Sequence, residues 1–172
     1  MSTPELIALF HHRWAAPVLA LLAIRGGGRF VELQRKLGVG SESLRRALQA
    51  LIEEGHVVRN PGYGHPLRPE YVLTRSGRPV ARRCYRLLRA LGPRVDVGLK
   101  KWSMPVLAAL EGATRFTDLR EALPGITPRA LTLALKDLQA VGLVEREVVD
   151  DYPPTTIYRP TAAGRPIRTI LL

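Results

Sequence analysis

Leucines recur at helical spacing in two stretches of the chain. The spacing i, i+4, i+7 is shared by two triplets: Leu44, Leu48 and Leu51, and Leu131, Leu135 and Leu138. Each triplet forms one apolar stripe, which predicts an amphipathic helix packed on a core. Thr127 followed by Pro128 predicts the start of the second helix, and Ser41 or Gly40 serves at the first. Gly55 and Gly142 follow where a left-handed residue commonly ends a helix.

The two stripes belong to an internal repeat. Four pairs of segments align in the same order: 14–22 with 102–110, 29–37 with 115–123, 38–59 with 125–146, and 71–79 with 158–166. In the third pair, eight of 22 positions are identical. Small changes of offset fall between the predicted elements, where loops tolerate them. The repeat therefore predicts two copies of one domain, residues 1–91 and 92–172.

Each copy has the same predicted layout. A helix around Trp14 or Trp102 precedes a short helix, the stripe-bearing helix, and two strands joined by a Pro- and Gly-rich loop. The short helices are predicted at residues 30–37 and 116–123. Pro69 and Pro160 predict that the second strand of each pair is an edge strand. Two helices, a turn, a third helix and a two-stranded wing define a winged helix-turn-helix, so the predicted fold is mainly α with small β wings.

The net charge of the chain indicates which class of partner the predicted fold binds. The chain carries 26 Lys and Arg against 15 Asp and Glu, a net charge of +11. Residues 1–90 carry +9 of it and residues 91–172 carry +2. Codon bias toward arginine is the alternative explanation, but a uniform bias would not load one half. A basic, Arg-rich chain predicts a polyanionic partner, most often nucleic acid.

The remaining composition predicts a cytoplasmic protein without a membrane partner. The hydrophobic content of 46% is enough for a packed core. No apolar run approaches the roughly 18 residues of a membrane-spanning helix. The first residues lack the basic-then-apolar layout of a signal peptide. A single cysteine, Cys84, excludes an internal disulfide.

The ordered motifs resemble the HxlR-type, MarR-like family of bacterial winged-helix transcriptional regulators. The second copy carries the pattern at these positions: Trp102, Arg115, Phe116, Leu119, Leu131, Leu135, Leu138, Gly142, Leu143, Val144, Arg146, Pro153, Pro154, Tyr158, Thr161 and Gly164. The first copy keeps Trp14, Arg29, Phe30, Leu33, Leu44, Leu48, Gly55, Pro66, Tyr71, Leu73, Thr74 and Gly77. The resemblance covers nearly the whole chain, and its strength is the ordered recurrence of weak positions.

The resemblance implies a DNA-binding regulator that is its own partner. Members of this family usually carry one such domain and act as homodimers, so two copies on one chain imply an intramolecular pseudo-dimer. Two recognition helices must reach sites about one DNA turn, roughly 34 Å, apart. The helix predicted at residues 79–91 corresponds to the family's dimerisation helices and is expected to join the copies. Whether the pseudo-dimer pairs again as a homodimer stays open.

The first copy offers the better predicted DNA-binding face. Arginine can grip guanine and glutamine can grip adenine with two hydrogen bonds, while serines near a helix N-terminus suit phosphate. Residues of these types, with basic side chains around the wing, are predicted to contact DNA: Ser41, Ser43, Arg45, Arg46, Gln49, Arg59, His65 and Arg68. The alternative is an ordinary solvated helix face.

The second copy offers a weaker face. Its predicted DNA-contacting residues are Thr127, Arg129, Thr132 and Lys136. Leu133 stands where Arg46 stands in the first copy. The wing holds Glu145, Glu147, Asp150 and Asp151, and carboxylates repel phosphates. This copy binds DNA weakly, turns its wing away, or has another role.

Catalytic, redox and metal sites have weaker support in the sequence than the DNA-binding faces. No catalytic motif is present, so an enzyme is not expected, and no cofactor is expected. Cys84 lies on the apolar stripe of helix 79–91, which predicts a core residue; relatives that sense electrophiles do so through a cysteine before the first Trp, and no cysteine precedes Trp14 or Trp102 here. A metal site of His11, His12 and Cys84 fits no usual zinc spacing.

Alternative functions remain open at the level of sequence. Trp14, Trp102 and Met104 open equivalent helices, and core packing is the plainer interpretation of them. If these three residues meet near the interface between the copies, they would line a pocket for a small aromatic effector. The chain could then be a small-molecule binder that reuses the fold. The charge disfavours a third alternative, an interaction module like the tandem winged helices of chromosome-condensation complexes. A resemblance to those modules would imply an acidic chain, and this chain is basic.

Overall fold

The computed structural model describes residues 1–61, 69–150 and 154–172. The chain divides into two compact units. The first winged unit is His12–Arg89, and the second winged unit combines Met1–His11 with Ala90–Leu172. The sequence repeat places its boundary between residues 91 and 92, whereas packing assigns the first eleven residues to the second unit.

The first winged unit contains four helices and three strands in its described part. Its helices are α2 (Ala15–Arg25), α3 (Phe30–Leu37), α4 (Ser41–Glu53) and α5 (Gly77–Leu91), the last of which extends two residues past the unit. Its strands are β1 (Gly28–Arg29), β2 (Val57–Asn60) and β3 (Glu70–Leu73). They form one antiparallel sheet in the order β1-β3-β2.

The second winged unit repeats this order and adds a helix from the chain's start. Its helices are α1 (Thr3–His11), α6 (Val95–Gly98), α7 (Ser103–Ala109), α8 (Phe116–Ala122), α9 (Pro128–Ala140) and α10 (Gly164–Leu171), with a 3-10 turn at Gly92–Arg94. Its strands are β4 (Thr114–Arg115), β5 (Val144–Val149) and β6 (Thr155–Pro160). They form an antiparallel sheet in the order β4-β6-β5. The predicted class, helical with small wings, is confirmed.

The predicted helix signals are used as expected. The side chain of Thr127 accepts a hydrogen bond from the backbone N–H of Ala130 at 3.2 Å and caps α9. Gly40, one of the two residues predicted to start α4, is its N-cap. Gly55 and Gly142 have φ angles of 71° and 70°, in the left-handed region that favours glycine.

The prediction that the proline-bearing strands are edge strands is wrong. Strands β3 and β6 are the central strands of their sheets. Proline is tolerated because the third strand of each sheet is only two residues long: β4 pairs with Ile157 and Tyr158, while Pro160 pairs with Val144 of β5 alone. Thr161, the next residue, donates its N–H to the carbonyl oxygen of Leu143 on the β5 side. The nitrogen of Pro160 therefore faces away from β5, on the side that β4 does not reach, and its missing N–H breaks no ladder bond. Pro69 precedes β3.

The recurrent Thr and Gly of segments 71–79 and 158–166 fasten the end of the stripe-bearing helix to the exit of the wing. Thr74 Oγ1 donates to the carbonyl oxygen of Gly55 at 2.7 Å and accepts from the N–H of Gly77 at 2.8 Å. A Cβ at Gly77 would clash with the carbonyl oxygen of His56, so only glycine fits. The second unit repeats these contacts, with Thr161 to Gly142 at 2.7 Å and Gly164 to Thr161 at 3.0 Å.

Helix α1 belongs to the core of the second unit. Leu6, Leu9 and Phe10 are buried, and α1 packs on α7. The terminal ammonium of Met1 donates to the carbonyl oxygen of Leu171 at 3.3 Å. The first residues of the chain thus complete a unit whose other elements begin almost eighty residues later.

Two further properties of the described residues bear on function. No single helix there is long and apolar enough to cross a membrane, although α1 and α2 would pass that test if taken together. Across the same residues, no group of three or more His, Cys, Asp or Glu side chains is arranged to hold a metal ion.

Candidate nucleic-acid interface

Helix α4 separates an apolar face from a polar one. Its leucine stripe is buried with Ala47, as the spacing predicts. The predicted contact residues all lie exposed on the rest of the helix: Ser41, Ser43, Arg45, Arg46 and Gln49. The structure thus brings five of the eight predicted residues of the first copy together on one helix of about four turns.

Glu42 organises the two arginines of this face. Its carboxylate accepts hydrogen bonds from Arg45 Nη1 at 2.6 Å and from Arg46 Nε at 2.8 Å. The side chains are mostly exposed, at 66% for Arg45 and 69% for Arg46. The hydrogen bond from Arg46 lowers the pKa of Glu42. The sequence prediction missed Glu42, although its spacing of three and four residues from the arginines is a recognisable signal.

Two other side chains of α4 are held in place by neighbours. Gln34 Nε2 donates to Ser41 Oγ at 2.9 Å, which leaves the hydroxyl hydrogen of Ser41 able to donate elsewhere. Gln49 Nε2 donates to Glu53 Oε1 at 2.7 Å. Both contacts orient polar groups without burying them.

The described part of the first wing carries one basic and one acidic side chain, Arg59 and Glu70. Arg59 lies exposed on β2, beside β3. Arg29 and Glu70, on the paired strands β1 and β3, approach within 3.6 Å. His65 and Arg68, the other predicted wing contacts, lie outside the described residues, as does Pro66.

Helix α9 is the counterpart of α4 with different chemistry. Its leucine stripe and Ala134 are buried. The predicted contact residues Thr127, Arg129, Thr132 and Lys136 are exposed. Two of them already use their hydroxyl groups locally, since Thr127 caps the helix and Thr132 Oγ1 donates to the carbonyl oxygen of Pro128 at 2.9 Å.

The second wing carries carboxylates, one of which lies near a cation of the facing strand. Arg159 Nη2 lies 3.3 Å from Glu147 Oε2 across the β5–β6 pair. Glu145 and Asp150 are exposed. Asp151 lies outside the described residues. The described second wing is therefore less suited to phosphate than the first.

A groove of about 370 Å³ runs beside α9. Trp102 and Leu133 line it, with Lys100 salt-bridged to Asp137 at 2.8 Å on its rim. Lys101 Nζ lies 5.3 Å from the centroid of the Trp102 ring. The comparable groove beside α4, of about 310 Å³, is lined by His12, Arg45, Arg46, Gln49, Ala50 and Glu53.

The three residues predicted to line an aromatic pocket lie in different environments. Trp102 borders the groove. Met104 is fully buried in the core of the second unit. Trp14, the N-cap residue of α2, belongs to the first unit and is partly exposed.

Cys84 lies in the core. Its side chain is fully buried on α5, and burial raises the pKa of the thiol to about 12. The nearby Arg83 opposes this shift without cancelling it. The arginines of α5 lie on its other face, where Arg89 rests 5.9 Å from the centroid of the Tyr85 ring.

Comparison with known proteins decides the family. The sequence model of the HxlR-like helix-turn-helix family matches residues 9–91 and again 97–172. The chain belongs to the HxlR-like helix-turn-helix family. It carries that domain twice, as the repeat predicts.

Individual HxlR-like relatives match one domain at a time. An uncharacterized HTH-type transcriptional regulator of Synechocystis, sll1512, is 40% identical over 79 residues, 45% of this chain and 58% of its own length. The HTH-type transcriptional regulator YybR of Bacillus subtilis, also uncharacterized, is 43% identical over 63 residues, 37% of this chain and 50% of its own length. The chain thus spans about half the length of these curated relatives.

Solved structures align over similar shares. The reduced form of the regulator YodB from B. subtilis is 28% identical, with a TM-score of 0.43, and covers 45% of this chain and 78% of its own. A transcriptional regulator of the MarR family from Enterococcus faecalis V583 is 32% identical, with a TM-score of 0.43, and covers 50% of this chain and 76% of its own.

Proposed function

We propose that this HxlR-like chain is a sequence-specific double-stranded DNA-binding transcriptional regulator, active in the cytoplasm. The observation that carries the proposal is the exposed face of α4, where Arg45 and Arg46 stand together on a helix-turn-helix recognition helix. Arginine forms two hydrogen bonds with the major-groove edge of guanine, and its charge attracts phosphate at longer range. The membership of a family whose relatives are described as HTH-type transcriptional regulators supports it.

The two units are proposed to act as a pseudo-dimer on one asymmetric site. Each unit carries one recognition helix, α4 or α9, so a single chain supplies what a homodimer of one-domain chains supplies. The two helices differ in their exposed residues, and a palindrome would suit only one of them. The first unit is expected to provide most of the affinity, because residues 12–89 hold 15 basic and five acidic side chains, +10 of the net charge of +11.

Fluorescence anisotropy on genomic duplexes, including the region upstream of the chain's own gene, tests the proposal. A salt series separates specific contacts from counterion release. Sub-micromolar binding to one fragment that survives physiological salt is the expected result. Binding that falls steeply with salt and prefers no fragment would leave only a basic patch and would contradict sequence-specific regulation.

A small-molecule effector is a second candidate function, favoured by the groove beside α9. Trp102 offers an aromatic surface and Leu133 an apolar one. The Ser103 hydroxyl oxygen, next to Trp102 in the chain, is buried and has no hydrogen-bond partner among the described residues. A ligand with an aromatic ring and one polar group fits this combination.

Tryptophan fluorescence tests the effector. Aromatic carboxylates, phenols and amides are titrated into wild-type protein and into Trp102→Phe, with Trp14→Phe as the matched control. Quenching that persists in Trp14→Phe and disappears in Trp102→Phe supports the groove. Two results contradict it: no compound quenches the wild-type protein, or every compound quenches both tryptophans alike.

A further inference from the structure

Leu133 is an apolar side chain in the place of a DNA-reading arginine. At the 87-residue offset it corresponds to Arg46, and each lies two positions past the first leucine of its buried stripe. Leu133 is 53% exposed, whereas the stripe leucines of α9 are buried. It is thus not a core residue of its own unit, and exposing a leucine on a polar helix face is unfavourable in water.

The neighbours of Leu133 on α9 are suited to DNA phosphates. Arg129 and Lys136 lie four residues before it and three residues after it, so both share its face of the helix, and both are exposed. Thr132 donates its hydroxyl hydrogen to Pro128, which leaves it without a donor for a base. This face therefore offers two cations for phosphate and, between them, an apolar side chain.

The chemistry of the major groove then selects the base. Guanine, cytosine and adenine present hydrogen-bonding groups there, and thymine adds a C5-methyl group. Leucine has no polar atom, and the thymine methyl is the largest apolar group that a base edge presents in this groove. Arg46, its counterpart, is suited to guanine.

We propose that Leu133 contacts the C5-methyl group of a thymine, so that the second unit reads an A·T pair where the first unit reads a G·C pair through Arg46. This inference rests on the proposed DNA-binding function and assigns the two half-sites different chemistry. The leucine at position 133, where the first unit has Arg46, then has a role in specificity.

The test removes one methyl group from the DNA. A duplex is selected from a random pool with the full-length protein, and each thymine is replaced in turn by deoxyuridine, which lacks the methyl and keeps the hydrogen-bonding edge. For wild-type protein, one replacement within the half-site of the second unit is expected to weaken binding about three- to tenfold, the range set by burial of one methyl group. The same replacement should leave the affinity of Leu133→Ala unchanged.

A specificity switch provides the second arm. Leu133→Arg is expected to prefer guanine at the position where wild-type protein prefers thymine, while Arg46→Ala keeps the deoxyuridine effect because it lies in the other unit. Leu133 is exposed, so the variants are expected to fold, which circular dichroism checks.

The outcomes separate the two claims. A selected duplex with no deoxyuridine effect, or with the same effect in wild type and Leu133→Ala, overturns the role of Leu133 and leaves the proposed function standing. Failure to select any preferred duplex overturns the proposed function, and this inference with it.

Discussion

Arg46 Nε donates a hydrogen bond to the carboxylate of Glu42 at 2.8 Å, one turn earlier on the same helix. Arg45 donates to the other oxygen of the same carboxylate. Both guanidinium groups are therefore oriented before DNA arrives, and DNA must compete with Glu42 for their hydrogen bonds. Because the Glu42 carboxylate already binds both guanidinium groups, it favours a partner that offers paired hydrogen-bond acceptors over one that offers negative charge alone.

Arg46→Ala is expected to weaken binding to the selected duplex by about 1–3 kcal/mol, since a bidentate contact with guanine is lost. Binding to a scrambled duplex should fall much less. Arg86→Ala removes the same charge from an exposed position on α5 and is the matched control. Anisotropy titrations at two salt concentrations measure both. Equal losses for Arg46→Ala and Arg86→Ala would contradict the role of Arg46 as a base contact.

Glu42→Gln is expected to lower specificity while raising total affinity. The change removes one negative charge from the interface and leaves one acceptor oxygen in place of two, so the arginines are held more weakly and affinity for a scrambled duplex should rise by about threefold to tenfold. The preference for the selected duplex should shrink. Glu54→Gln removes the same charge just beyond the end of α4 and should leave the preference intact. An unchanged preference in Glu42→Gln would show that its carboxylate does not control the arginines.

Phe10→Ala is expected to destabilise the second winged unit, although Phe10 precedes the first unit in the chain. Phe10 is 1% exposed and lies on α1, which packs on α7. Truncating a buried phenylalanine costs about 3–5 kcal/mol. Hydrogen exchange of α7 amides measures the effect. Ile24→Ala, at a side chain 64% exposed on α2, is the control and should change stability by less than about 0.5 kcal/mol. Undiminished protection of α7 in Phe10→Ala would contradict this packing.

Cys84 is expected to be inert to thiol reagents in the folded protein. Burial raises its pKa from an ordinary 9.0 to about 12, and the thiolate is the reactive form. Labelling with a chromogenic disulfide at pH 8 should find no reactive thiol until denaturant is added, and then one. Fast labelling of the folded protein would contradict the burial and reopen a redox role.

The same shift predicts a stability trend with pH. The folded thiol holds its proton up to about pH 12, while the unfolded thiol loses it near pH 9. The contribution of Cys84 is therefore fully present below pH 9 and is lost as the pH rises toward 12. Cys84→Ala should remove this component, which comparison of urea midpoints between pH 8 and pH 11 would show.

The sequence predicts those parts of the fold that repeat over many residues. The leucine stripes place α4 and α9, Thr127 predicts its own cap, and the doubled motif predicts two domains. The stripes and the cap are local patterns whose physical cause acts within one or two helical turns, and the repeat is found by comparing the chain with itself.

The rest depends on partners distant in the chain. Strands β1 and β4 have two residues each, too few for a pattern, and missing them produced the wrong edge assignment of β3 and β6. Helix α1 is apolar on one side, but its partner α7 begins at Ser103. Within the candidate interface, residue types predicted the exposed arginines, whereas the hold of Glu42 on both needed side-chain geometry.

We propose that one chain reads an asymmetric duplex with two different recognition helices. The most direct measurement compares the affinity of the selected duplex with that of two palindromes, each built from one of its half-sites. We expect the asymmetric duplex to bind one chain and each palindrome to bind at least about tenfold more weakly, because mismatched positions cost about 1–3 kcal/mol each. A palindrome that binds as tightly as the selected duplex, or that recruits two chains, would contradict it.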